Sequence, residues 1–209
     1  MKLHSRDIED GKPIDPRLAF GRPDPDNHMA LSDNLSPHLK WEDVPDGTRS
    51  FAVLCVDPDV PSVADDVNQE GKTVPASLER VDFYHWVMVD VPGRVRELAT
   101  GSCSDGVVPR GKKNPSGPEG SRQGINTYTG FLAGDSDMAG EYFGYDGPCP
   151  PWNDELLHRY VFTVYALDTE RLELPEKFDG PAALEAMAGH VLGSASITGT
   201  YTLNPDVEN

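Results

Sequence analysis

Nothing in this sequence approaches the roughly 18 consecutive apolar residues of a membrane-spanning helix, so no transmembrane span is expected. The opening residues, MKLHSRDIEDGKPIDP, are charged and lack the apolar centre of a signal peptide, which points to a cytoplasmic protein. Cysteine is scarce. Cys55, Cys103 and Cys149 make an odd set without C-x-x-C spacing, so a disulfide framework and a zinc site are both poorly supported. Positive charge is scarce too, with 18 Lys and Arg against 35 Asp and Glu and a net charge of −17. Counterion release needs clustered cations, so nucleic acid and stable membrane insertion are not expected among the partners. No internal repeat stands out.

What is present reads as β structure. Twenty glycines and 19 prolines indicate many turns and few long helices. A chain of 209 residues is long enough for one buried core, which predicts a single domain over 1–209. Aromatic and β-branched runs predict strands over 50–57, 83–91, 158–167 and 194–203, with an extended piece over 36–41. Pro181, with Asp179 upstream as a cap and Gly193 as a stop, predicts one helix over 181–192. A single helical turn is expected over 94–98. The first 35 residues look irregular, 62–80 resembles a loop, and 101–150 lacks periodicity. The DPDVP segment after the first long strand reads as a proline-fixed turn. The fold class that follows is a mostly-β, antiparallel domain.

Strand parity then assigns faces. Asp57 shares a face with Phe51, Val53 and Cys55. His85 shares one with Phe83, Val87, Val89 and Val91. His158 and Tyr160 share theirs with Phe162, Val164 and Ala166. Each strand thus puts titratable groups at one end of an apolar face. Should the three ends meet, they form an Asp–His–His–Tyr cluster that needs internal pairing or a ligand. Taken singly, each histidine is more ordinarily a satisfied core residue, and Asp57 and Asp59 are ordinary turn residues. Arg159 points away from His158, toward solvent or a salt bridge.

VDPDVPS, YHWVMVDVP and GPCPPWNDELLHRYVFTVYAL together resemble the phosphatidylethanolamine-binding protein family, also called Raf-kinase-inhibitor-like proteins. The upstream NLSPHLKWEDVPDGTRSFAV is similar to the family's segment before the DPD motif, and AMAGHVLGSASITGTY resembles the ending of its prokaryotic branch. The resemblance covers nearly the whole chain. It implies an antiparallel β-sandwich with one short helix near the C-terminus, long loops, and a small pocket for phosphate or a phosphoryl head group. Residue by residue it implies that Asp57 lines the pocket and that Asp59 is structural or part of the wall. Val60 and Pro61 bring main-chain groups toward the ligand, His85 is the pocket histidine, and Pro150 and Pro151 form a wall. His158 and Tyr160 supply hydrogen bonds to the anion. No cofactor is implied.

Two imidazoles and a phenol offer donors for phosphate oxygens, while Asp57 repels a phosphate unless a proton is shared or Asp57 holds a histidine charged. Binding is therefore expected to weaken above the histidine pKa values. The chain departs from the family pattern in a long insert between Ser62 and His85, in Asp90, where the family often has Asn, and in the length of 111–147. The mammalian kinase-regulatory role is for that reason not transferred. The first expectation is a non-enzymatic binder of a small anionic or phosphorylated ligand. The alternatives are an interaction regulator, kinase- or protease-inhibitor-like, acting on a protein partner through its long loops, or a weak hydrolase using Asp57, His85 and His158. The hydrolase lacks G-x-S-x-G and H-E-x-x-H elements, and Ser62, Ser102 and Ser104 have no motif support as nucleophiles. A metal site from Asp57, Asp59, His85 and His158 is a lesser variant. Prokaryotic relatives suggest a homodimer.

Overall fold

Residues 51–56, FAVLCV, are apolar at every position because the strand they form is covered on both faces. The computed structural model describes residues 1–209. Its strands are β1 (Lys2–His4), β2 (Lys12–Pro13), β3 (Gly21–Asp24), β4 (His28–Leu31), β5 (Leu39–Glu42), β6 (Ser50–Pro61), β7 (Arg80–Pro92), β8 (Glu97–Leu98), β9 (Arg122–Gln123), β10 (His158–Leu167) and β11 (Val191–Tyr201). Two helices, α1 (Tyr128–Phe131) and α2 (Gly180–Met187), complete the elements used below. The main sheet has six strands in the order β2-β11-β10-β6-β7-β9. Its four long strands are antiparallel neighbours, with β2 parallel to β11 at one edge. A three-stranded sheet, β1-β5-β8, and the β3-β4 hairpin lie outside it.

One face of the main sheet buries Phe51, Val53, Cys55, Phe162 and Val164 against Leu39 and Trp41 of the smaller sheet. The Trp41 and Phe51 rings meet edge to face with centroids 5.2 Å apart. The other face buries Ala52, Leu54, Val87 and Val89 under α2 and the Leu172–Phe178 segment. The mostly-β architecture matches expectation. The strands at 50–57, 83–91 and 158–167 lie within β6, β7 and β10.

Several boundaries differ. DPDVP is not a turn: β6 runs on through it to Pro61, with a bulge between Asp57 and Val60 against β7. The Asp57 side chain accepts from the Asp59 amide inside that bulge (2.8 Å), which is how the segment bends without leaving the sheet. Helix α2 keeps its predicted Asp179 cap but ends at Met187, and Val191 and Leu192 already belong to β11. Gly189 takes φ +85°, a conformation that stops the helix, and Val191 pairs with Leu167. The final strand accordingly covers 191–201. Residues 94–98 form no helical turn; Glu97 and Leu98 are captured by β5 instead. The first 35 residues carry four short strands, too brief to show a period.

The parity of β7 also differs. His85 is the extra residue of a bulge, since Trp86 pairs with Cys55 and Tyr84 with Val56. His85 therefore shares its face with Phe83, Trp86 and Met88, while Val87 and Val89 pack beneath α2. A second bulge, on β7 opposite the Phe51–Val53 step of β6, turns Val91 back to the first face. It places Asp90 at φ +57°, where the carboxylate binds Arg122 Nε (2.6 Å) and the Leu172 amide (2.9 Å). No helix of the protein is long and apolar enough to cross a membrane.

Candidate functional site

The three strand ends do meet. Asp57 of β6, His85 of β7, and His158 and Tyr160 of β10 line one pocket of about 160 Å³. Val60 and Pro61 from β6 and Pro150 and Pro151 from the preceding loop form its walls. Eight of the nine expected site residues are thus together.

The ninth, Asp59, is not among the lining residues. Its carboxylate takes a forked ion pair from Arg159, with Oδ2 to Nε at 2.8 Å and Oδ1 to Nη2 at 2.8 Å. The bulge explains the split: strict alternation would put Asp57 and Asp59 on one face, but the irregularity between Asp57 and Val60 turns the buried Asp59 carboxylate to the exposed Arg159, and the pair clamps β6 to β10. The guanidinium outweighs the burial that raises the Asp59 pKa and holds it below the ordinary carboxylate value.

His158 has a different role from the expected one. Its Nδ1 lies 2.7 Å from Asp57 Oδ2 and its Nε2 lies 3.1 Å from Asp154 Oδ2, all three side chains being buried. Burial disfavours the imidazolium, but the two carboxylates overcome it and bring the pKa up to about 9. His158 is therefore a cation at neutral pH with both N–H groups committed. It neutralises charge and leaves no donor for a ligand. Asp154, which strand parity does not single out, is in turn gripped by Arg80 through Nη1 to Oδ2 (2.5 Å) and Nη2 to Oδ1 (3.0 Å). Its position four residues before His158 in DELLH was the available signal.

His85 is neutral by contrast. Its Nδ1 donates to the main-chain oxygen of Asp146 (2.8 Å), and burial pushes its pKa down despite the nearby Asp57. The Tyr160 ring packs edge to face on His85, with centroids 5.1 Å apart. The buried Tyr160 hydroxyl has no hydrogen-bond partner.

The remaining lining comes from segments that carried no legible pattern. Val63, Ala64 and Val67 of the insert cover one side, and Tyr128 and Phe131 of α1 cover another. The insert is tied down by Asn153, whose Nδ2 donates to Asp66 O (2.8 Å) and Lys72 O (3.1 Å) and whose Oδ1 accepts from Asn68 N (2.9 Å). Beside it, His28 stacks on Trp152 at 3.9 Å and binds Glu70 (2.7 Å). No three His, Cys or carboxylate side chains of the protein are grouped so as to hold a metal ion.

Comparison with known proteins gives the family and the fold. Residues 4–202 match the family model described as phosphatidylethanolamine-binding protein. The chain belongs to the phosphatidylethanolamine-binding protein family. Within this family it is 37% identical to UPF0098 protein YbhB of Escherichia coli (strain K12) over 203 residues, 97% of this chain and 100% of that one. It is 32% identical to a UPF0098 protein of Aquifex aeolicus (strain VF5), covering 96% of this chain and 88% of the other. Among solved structures, E. coli YbcL, described as a new member of the mammalian PEBP family, superposes with a TM-score of 0.68 at 26% identity, covering 96% and 97% of the two chains. A PEBP homolog of Chlamydia trachomatis gives a TM-score of 0.63 at 27% identity, covering 96% and 95%. These phosphatidylethanolamine-binding protein relatives come from bacteria, in keeping with the prokaryotic character of the C-terminal segment.

Proposed function

We propose that this chain is a non-enzymatic binding protein for a small anion, with phosphate or a phosphoryl head group as the ligand chemistry. The observation that carries this is the buried Tyr160 hydroxyl, which has no partner in the protein yet lines a pocket with His85 and Asp57. An unsatisfied buried hydroxyl costs about 1–3 kcal/mol, which a ligand oxygen accepting from it would recover. The Asp57–His158–Asp154 chain supports the same reading. His158 offsets the Asp57 charge that would otherwise repel an anion.

The pocket is poorly equipped for hydrolysis. Burial pushes the Cys149 thiol up to about 12, so it is protonated and a weak nucleophile at neutral pH. Ser62 also lines the pocket, but no hydrogen bond joins its hydroxyl to His85 or to His158, and both His158 nitrogens are held by carboxylates.

The test is a phosphate titration by NMR or calorimetry on the wild type, Tyr160→Phe and His85→Ala. Loss of a hydrogen bond to a charged oxygen predicts roughly ten- to hundredfold weaker binding for Tyr160→Phe. A parallel esterase and phosphatase screen addresses the chemistry: turnover that disappears in His85→Ala would overturn the non-enzymatic reading.

A further inference from the structure

The polar end of the pocket holds more acceptors than donors, and a buried network outside the pocket sets that balance. His85 Nδ1 must carry a proton, because the Asp146 carbonyl it meets can only accept. That carbonyl is fixed from both sides. The Asp146 amide donates back to the His85 main-chain oxygen (3.0 Å). The fully buried Asp146 carboxylate accepts from Lys112 Nζ (3.1 Å), Asn34 Nδ2 (2.7 Å) and Asn126 Nδ2 (2.8 Å). Lys112 and Asp146 are thus positioning residues: they hold the ring with its proton on Nδ1, toward the main chain of Asp146 and its neighbour Gly147. In the neutral ring Nε2 is an acceptor.

The other groups around His85 add little donor capacity. Asp57, from β6, offers carboxylate oxygens that each already accept one bond. His158, from β10, has both nitrogens committed to carboxylates. Tyr128, from α1, donates its hydroxyl to Gly147 O (2.8 Å). Cys149 is a protonated thiol, a weak donor at most. Tyr160 presents the one fully buried hydroxyl without a partner; the less buried Ser62 hydroxyl also lines the pocket.

An anion built only of acceptors would set its oxygens against the His85 lone pair and the Asp57 carboxylate. An oxyanion that brings its own proton matches instead, its P–OH donating to His85 Nε2 while a P–O⁻ accepts from Tyr160. We propose that the pocket reads the proton of its ligand, selecting monoanionic phosphate or phosphomonoesters that carry a P–OH over phosphodiesters and sulfate. This rests on the anion-binding reading above and sharpens it to one ligand class.

Calorimetry on the full chain at pH 6 with methyl phosphate, dimethyl phosphate and sulfate tests it. Dimethyl phosphate has the single charge of protonated methyl phosphate without its proton. Methyl phosphate is expected to bind at least about tenfold tighter than either, since a buried acceptor left facing an acceptor forfeits a hydrogen bond. Its affinity should fall between pH 5.5 and 8 as its second proton, with a pKa of about 6, is lost; that of dimethyl phosphate should not follow this titration. Nitrogen-15 NMR of the free protein should show His85 neutral with its proton on Nδ1. Equal affinity for the two esters, or a charged His85 at pH 7, overturns the proton-reading proposal while leaving anion binding intact. Binding of none of the three overturns both.

Discussion

His158 Nδ1 sits 2.7 Å from Asp57 Oδ2, and this pair joins the end of β10 to the bulge of β6 at the pocket rim. With Asp154 on the other nitrogen, it raises the His158 pKa to about 9, against about 6.5 unfolded. The folded state therefore holds a proton that the unfolded state releases. The stability this confers is complete below about pH 6.5 and is lost as pH rises through about 9. A shift of this size corresponds to a few kcal/mol. Urea unfolding should show stability declining from pH 6.5 to 9.5, with that slope reduced in His158→Gln. An NMR titration placing His158 near 6.5 would sink the assignment. His85 acts in the opposite direction: its lowered pKa costs stability as pH falls below about 6.5.

Tyr160→Phe should separate binding from folding. Because the hydroxyl has no partner, removing it costs the fold nothing and is expected to leave stability within about 1 kcal/mol, or to increase it. Phosphate affinity should fall in the same variant. A loss of more than about 2 kcal/mol in urea unfolding would mean that the hydroxyl is satisfied in the folded protein.

Lys112→Met leaves the Asp146 carboxylate buried without its counter-charge. A destabilisation of about 3–5 kcal/mol is expected by chemical unfolding. Adding Asp146→Asn should restore part of it, because the two substitutions remove one interaction together. Strictly additive losses would show that the pair is not coupled.

Asn153→Ala releases four hydrogen bonds that hold the 63–72 part of the insert over the pocket. Amide exchange in that segment should accelerate by tenfold or more while β6 and β10 stay protected. Unchanged exchange would mean that the His28–Trp152 stack and the Val74 contacts suffice to hold the insert.

Most of the site was legible because its residues lie at the ends of strongly patterned strands. Asp57 and the His158–Tyr160 pair follow from parity on β6 and β10. Parity gave His85 a place at the pocket and its neighbour Phe83, but wrongly added Val87 and Val89, since a bulge carries no compositional mark: YHWVMVDV alternates plausibly in either register. Asp59 looked equivalent to Asp57 in the motif. Its diversion to Arg159 follows from the bulge between Asp57 and Val60, which breaks the alternation along β6, a strand that the prolines appeared to end.

The sequence alone determined the mostly-β class, the long strands and the family, since each rests on local patterns or on motifs in a fixed order. It also set the residue types that gather at the rim. The tertiary structure decided what those residues can do. Both nitrogens of His158 are taken by carboxylates, one of them 101 residues away in the chain, and His85 is oriented by a carbonyl 61 residues away. The protonation state of a histidine depends on burial and on neighbours within a few ångströms. Neither is encoded by the residues beside it in sequence.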